Sequence, residues 1–523
     1  MCPDSLYRAL FPARRPSFLF ILLLISALFI HTGEAHAQMN HSPVNMALGG
    51  GGAAYTTGYE SLFINPANLY IREKDYKIQI ASAMFGTRFS SPLRYNGNGN
   101  YLDGYFDQTD FFDPSDSVPL NEQERESFIA HNYQDHFTRS QHISSGELHL
   151  FGAHWAGTKR SYALSLRSRY SNRYDVGRNY YDPLPVRAGN HDEYDRTLNH
   201  QFQSFYELSF GYAESFTFLN GLFPQLSQFI IGVAPKLIAS GAYFDAEYTN
   251  KSLRKDEQLN YQNTREFQLQ GSGPFSEIAR QFRLNPDPGP GATSTYSRND
   301  LFSITGYGLG IDVGLTYLIT LGDDLSVVQD HETATRKSLR VSLSVTDIGF
   351  VTYKDDPVVY SFDKTREEDE FPDESLSDRI FAGRPGEHFF FLNQNQKHPI
   401  LETEEFNDEN FSVLLPTALH AGVLFQINRI KFTGDFSLGF TNNAFNTTRF
   451  ITYMGAEIRI LPYLPIRAGT RIGHQLPGYY SFGGGFESHY FDINLAFQLR
   501  SKSSGPTNEL SGLSVAAIKF YIP

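Results

Sequence analysis

Eleven charged residues recur at alternate positions in short segments otherwise rich in apolar side chains: Arg167, Arg169, Glu207, Asp312, Arg340, Asp435, Glu457, Arg459, Arg467, Arg471 and Asp492. Residues two apart on a strand share a face, so each of these belongs to the polar side of its segment. Facing a common interior, both signs together would either pair across strands and fill that interior or line an aqueous path that selects by charge. Pairing is the expected outcome. Other clusters are weaker. Asp103, Asp107, Asp110, Asp113 and Asp116 lack the spacing of a calcium loop and read as a solvated acidic loop, as does Glu367-Glu368-Asp369-Glu370. His131, His136 and His142 share a loop without HExxH spacing. The only cysteine, Cys2, lies ahead of an export signal, which leaves no thiol nucleophile or Cys-ligated metal in the mature chain. We therefore expect no catalytic residues, no metal and no cofactor.

The elements that must position the charges are strands. Leu339, Val341, Leu343 and Val345 alternate with Arg340, Ser342, Ser344 and Thr346, and Phe491 to Leu499 alternates in the same way. Strands of about ten residues fall near 75–86, 146–156, 160–171, 202–216, 227–243, 302–319, 337–349, 416–427, 429–441, 449–460, 464–473, 479–487, 489–499 and 512–522. The fold class expected is an all-β, about 14-stranded antiparallel transmembrane barrel, its apolar faces toward outer-membrane lipid. Long polar connections at 87–145, 172–201, 244–301 and 350–415 alternate with short ones, as outer loops alternate with periplasmic turns; only 320–336 is long for its side. Pro235 cannot donate to a ladder, so the fifth strand is expected to bulge or kink there.

The first 37 residues carry Arg14 and Arg15, an apolar run from Phe18 to Ile30, and small residues at Ala35 and Ala37. This is a secretory signal with cleavage between Ala37 and Gln38, and its apolar run is too short to span a bilayer. Three arginines and two acids leave with it, so the formal charge of −13 becomes −14, and nucleic acid is not an expected partner. Aromatics at 15%, with Phe and Tyr far above Trp, suit girdles at both membrane interfaces. The chain ends Phe520-Tyr521-Ile522-Pro523, short of finishing on an aromatic residue.

Between signal and first strand, residues 38–74 hold Gly49-Gly50-Gly51-Gly52 and, a dozen residues on, Asn65-Pro66-Ala67. The glycines let backbone lie close to a wall or take φ > 0, while Pro66 and the Asn65 side chain favour a turn. No Lys-Ser or Lys-Thr follows the glycines, so they do not form a phosphate cradle. Residues 46–69, the strand count, and Pro416-Thr417-Ala418, Gly455-Ala456-Glu457 and Ile466-Arg467-Ala468-Gly469 resemble the FadL-type outer-membrane transporter superfamily, which includes long-chain fatty-acid transporters and PorV-type proteins. The resemblance implies that residues 38–74 fold as a hatch or plug inside a barrel formed by 75–523, and that a wall kink can open a lateral path. It implies passive, hatch-gated passage of a hydrophobic or amphipathic, fatty-acid-like small molecule. The alternative is a non-transporting PorV-like platform for envelope or secretion proteins. A general porin is disfavoured, because the N-terminal segment would occupy a modest lumen.

Intact-mass measurement of protein purified from membranes should give a chain beginning at Gln38; a mass that retains residues 1–37 would overturn the signal assignment.

Overall fold

The computed structural model describes residues 41–90, 139–180, 193–216, 227–254, 261–284, 300–321, 336–368, 407–446, 448–473, 478–500 and 509–523. The signal with its Ala37–Gln38 junction, the Asp103–Asp116 loop, His131 and His136 lie outside them.

Eighteen strands join one antiparallel sheet. β1 (Ile78–Ala81) and β2 (Met84–Ser90) share one wall position, followed by β3 (Arg139–Ala156), β4 (Arg160–Gly177), β5 (Glu193–Phe216) and β6 (Ser227–Arg254). β7 (Tyr261–Ser272) leaves the wall, which resumes with β8 (Gly306–Thr320) and β9 (Lys337–Tyr353). β10 (Pro357–Glu368) again stands outside the wall positions, whereas β11 (Phe411–Leu414) pairs with β9 in the same register as the strand that follows it and shares that strand's position. The circuit continues through β12 (Ala418–Ile427), β13 (Ile430–Gly439), β14 (Phe450–Leu461), β15 (Leu464–Gly473), β16 (Tyr479–Glu487), β17 (Phe491–Arg500) and β18 (Glu509–Ile522). β18 pairs back onto β1 and β2, which closes a barrel of fourteen wall positions, each at a segment read as a strand from the sequence.

Alternation decides the two faces. On β17, Ile493, Leu495 and Phe497 are exposed, while Asp492, Asn494 and Gln498 are buried. The same holds on β13, with Phe432 out and Lys431, Thr433 and Asp435 in. Exposed apolar side chains all round a closed sheet, with polar ones inside, are the arrangement of a transmembrane barrel, which leaves no unpaired edge in lipid.

The strands are longer than sequence patterning implied on the side of the long connections. β6 runs 28 residues: Ser227 to Ser240 pairs with β8, and Tyr243 to Arg254 pairs with β7, which in turn pairs with β10. Parts of 172–201, 244–301 and 350–415 read as loops are therefore sheet that continues past the wall. They escaped notice because segments such as Glu247 to Ser252 lack an apolar face. A short helix, Pro274–Leu284, follows β7.

The bulge expected at Pro235 is not found, although ladder pairing with β5 lapses there, at Pro235 and Ala234. Register is unshifted through it: Lys236 faces Ser209 and Val233 faces Tyr212 on one side, and Pro235 faces Ile311 on the other. The shift lies further along, where Gln203 faces Tyr243 but Phe205 faces Ser240. There β6 changes partner from β8 to β7, and an extra residue supplies the bend. Pro235 is exposed and replaces a ladder donor without an added residue.

Inside the barrel, residues 41–77 form a compact insert: helix α1 (Pro43–Ala47) and 3₁₀ turns at Gly58–Phe63 and Pro66–Tyr70. α1 is capped by Ser42 and opened by Pro43; it packs on β15 to β18, while the 3₁₀ turns pack on β3 to β6 and β8. Tyr59, Leu62, Phe63, Leu69 and Tyr70 meet a wall made small by Ala81, Ala163, Ala213 and Ala234.

A Cβ on Gly232 would come within 2.2 Å of Ala67 N and Pro66 C, whereas one on Gly434 meets nothing within 4 Å. Gly232→Ala should lower stability by about 1–3 kcal/mol, read as earlier loss of the compact band on heating before electrophoresis, with Gly434→Ala close to wild type. Equal behaviour of the two would refute the close packing of Pro66-Ala67 on β6.

Candidate functional site

The lumen is the candidate site, and its contents divide into the insert and two ion-pair networks. The insert is seated by its own sequence. Gly49, Gly50 and Gly52 have φ of +98°, +107° and +134°. Gly49 needs both the left-handed backbone and the missing side chain, because a Cβ there would lie 2.5 Å from Thr470 O. Gly51 lies against Asp435, whose Cβ would be 2.6 Å from an added one. Asn65 caps the following turn through Ala67 N at 3.1 Å and donates from Nδ2 to Ala53 O at 2.9 Å and Thr316 Oγ1 at 3.0 Å. Thr316 donates in turn to Asn68 Oδ1 at 2.7 Å, so Asn65-Pro66-Ala67 is tied to β8 by side chains and to β6 by packing.

One network crosses β3, β4, β5, β6, β8 and β9. Arg167 spans Glu147 at 3.0 Å and Glu207 at 2.5 Å; Arg169 spans Glu207 at 2.5 Å and Asp347 at 3.0 Å. Lys236 closes it, 2.5 Å from Asp347 and 2.8 Å from Asp312. Arg167 sits 3.7 Å from the centre of the Phe63 ring, and Arg169 lies by Phe205 and Phe445, so the cations also join aromatic faces of insert and wall. The insert adds His41, whose backbone N–H donates to Glu147 at 3.1 Å.

The second network lies near the short-turn end of β13 to β18. Arg467 donates to Glu457 at 2.6 Å and Glu487 at 2.5 Å, and Arg459 reaches the same two carboxylates at 3.0 and 2.5 Å. Insert residues complete it. Glu73 accepts from Lys431 at 2.6 Å and Arg340 at 3.3 Å; Lys74 pairs with Asp492, which also accepts from Tyr521; Lys519 lies 2.9 Å from Glu60. Arg471 and Arg88 share the Tyr479 ring, each 4.9 Å from its centre.

All eleven residues singled out from the alternation thus lie on the inner face, Arg459 half-buried and the rest buried. Sequence reasoning missed their partners Glu147, Lys236, Asp347, Lys431 and Glu487. Asp347 was hidden by a bulge: register shifts between Ile311 and Val313, Asp347 takes φ +56°, and Thr346 and Asp347 consequently both turn inward. Glu147 and Lys431 obey the period and could have been found by seeking opposite charges level with Arg169 and Glu457; Glu487 lies level with Asp492 and reaches Arg467 from further along β16. Among the described residues no cluster has the composition of a metal site.

Glu73 belongs to the insert, outside the spanning strands. Burial alone would raise its carboxyl, but Lys431 and Arg340 outweigh burial and hold it at about 2, below its ordinary 4.5. A depressed folded value means that the carboxylate stabilises the seated insert fully above about pH 4.5 and progressively less as pH falls toward 2. Hydrogen exchange of residues 71–77 should accelerate across that window in the wild type relative to Glu73→Gln, in which the anchor is already uncharged. The same pH response in both proteins would rule out Glu73 as the anchor.

A family model described as a family of unknown function, DUF5723, matches residues 84–462. No curated protein matches the chain. Similar solved structures include the Pseudomonas putida toluene transporter TodX, at 10% identity over 94% of this chain and 99% of that one with a TM-score of 0.41. The CymD monoaromatic hydrocarbon channel matches at 13% identity over 92% and 97%, TM-score 0.35. A Pseudomonas aeruginosa FadL homologue matches at 10% over 93% and 97%, TM-score 0.21. With its match spanning most of the barrel, the chain belongs to the DUF5723 family.

Proposed function

We propose that this barrel passes hydrophobic or amphipathic small molecules across the outer membrane by passive diffusion, with residues 41–77 as the gate. The observation that carries the reading is an apolar lining where a barrel interior is ordinarily polar. Toward the long-connection end, Phe205, Ile238, Tyr243, Val351, Tyr353 and Leu415 form one buried cluster with Phe411 and Phe445 against it. Beyond the Arg167 network, the Tyr59–Ile71 turns and the alanine-faced wall form another. A solute that displaced these packed side chains would meet apolar groups on both sides of the charged layer, and Phe63, Phe205 and Phe445 interleave that layer with rings.

The second cluster borders an irregular part of the wall, which supports a sideways exit. Ladder pairing breaks at Ser82-Ala83, where Ala83 has φ +58°, and at the same level β3 shifts register between His149 and Phe151. β18 shifts opposite Asp492 to Asn494. Three adjacent strands are therefore imperfectly laddered beside Tyr59, which packs on Gly152.

A different reading, a platform for envelope or secretion proteins, draws on the sheet of β6, β7 and β10 that projects past the wall. Stable co-purification of such partners, with uptake unaffected by deletion of the gene, would favour it.

The gate is tested by a tether. Ala47 on α1 and Ala496 on β17 pack in one small cluster, and the mature chain is expected to have no cysteine of its own. A47C/A496C should lose at least about tenfold of its uptake of fatty acids or aromatic hydrocarbons when oxidised and recover on reduction, given that a disulfide forms only between residues this close. Equal uptake in both redox states would refute the gate; unchanged uptake of a broad hydrophobic panel by a deletion strain would refute transport itself.

A further inference from the structure

Between the insert and the second ion-pair network lies a cavity of about 80 Å³. Its lining is crowded with charge yet electrically balanced. Glu60, Glu73, Glu457, Glu487 and Asp492 oppose Lys74, Lys431, Arg459, Arg467 and Lys519, and every one of these cations touches an acid of the set. An ion entering here would meet no unspent counter-charge and would lose its hydration. What remains open is hydrogen bonding. Glu60 Oε1, Asn45 Nδ2 and the Tyr55 hydroxyl have no partner among the described residues, although all three side chains are more than nine-tenths buried and line this cavity. Buried polar atoms of this kind are costly unless something completes them.

We propose that the cavity is a binding site for a small, uncharged, hydroxyl-bearing group. The three open atoms differ in kind. The Glu60 oxygen, whose twin is held by Lys519 at 2.9 Å, needs a donor; the Asn45 amide, whose carbonyl is taken by Thr56 at 2.7 Å, needs an acceptor; the Tyr55 hydroxyl serves as either. A hydroxyl meets donor and acceptor demands at once, whereas an ether or carbonyl meets only one and a carboxylate brings the wrong charge beside Glu60. Val44 and Leu48 give the cavity an apolar side against which a short carbon stem can lie. At 10–15 Å³ per water-sized centre, the space admits roughly five to eight such centres, enough for a diol head group and too little for a long chain. Resting on the transport reading, the site narrows the substrate class to amphiphiles with a neutral hydroxyl head, which would lodge here.

The probe is propane-1,2-diol against its dimethyl ether, titrated into the detergent-solubilised full barrel and followed by ligand-observed NMR. The diol should bind at least about tenfold more tightly than the ether, and Tyr55→Phe, which leaves every ion pair intact, should weaken the diol severalfold; Glu60→Gln should do the same. Equal binding of diol and ether, or wild-type affinity in Tyr55→Phe, would overturn the site. Proteoliposome uptake separates the two readings. Diol binding without uptake of any amphiphile would support the site and defeat transport, while hydrocarbon uptake without diol binding would defeat the site and leave transport standing.

Discussion

The constraint on which this molecule turns is the need to neutralise guanidinium groups inside a closed sheet. Arg167, Arg340 and Arg471 are among its most deeply buried large side chains. A charge withdrawn from water is tolerated only when partners surround it, and removing one partner from such a pair costs about 3–5 kcal/mol. Because Arg167 and Arg169 draw their acids from β3, β5 and β9, pairing couples strands that share no hydrogen bonds. The network braces the wall across its interior as the ladder braces it around its circumference. It also ties the insert to the wall, since Glu147 receives His41, and Glu73, Lys74 and Glu60 are themselves members of the second network.

Both kinds of contact occur on each side of the lumen. Under β3 to β9 the Arg167 network lies beside wall alanines and the aromatic and leucine side chains of the insert, and under β13 to β18 the Arg467 network lies beside Met46, Ala47 and Ala496. The insert faces both halves at once: α1 packs on β15 to β18 and the 3₁₀ turns on β3 to β8.

Much of this was legible in the chain because alternation is a direct record of a two-faced sheet. Leu339 to Thr346 and Phe491 to Leu499 could scarcely pack otherwise, and all fourteen wall positions follow from that grammar. What the grammar cannot carry is anything that breaks period two. Asp347 turned inward through a bulge and escaped notice; the bend expected at Pro235 lay instead near Ser240, where pairing partners change. The sheet beyond the wall was invisible for a third reason. Its buried face carries polar residues such as Asn250, Ser252 and Asn263 among the aromatic ones, so the alternation there marks no consistently apolar side and β7 and β10 read as loop. The cavity with its open polar atoms is likewise a property of three-dimensional convergence: Asn45, Tyr55 and Glu60 are close in sequence, but the residues that enclose them span Lys431 to Tyr521.

The seat of the insert also dictates an order of events during assembly. His41 O accepts from Ser514 Oγ at 2.5 Å, a contact between residues 473 positions apart, and α1 rests on the last four strands of the chain. The part of the protein exported first thus waits for the part exported last before it has anything to rest on. Contacts of such sequence separation form late, because the whole intervening chain must be ordered first. Closure of the circle and seating of the insert are thereby coupled, and until the insert is seated Arg340 and Lys519 have not met its acids Glu73 and Glu60. A truncated or stalled chain would be left with uncompensated charge on the inside as well as an unpaired edge on the outside, two separate marks by which a cell's quality control could recognise it.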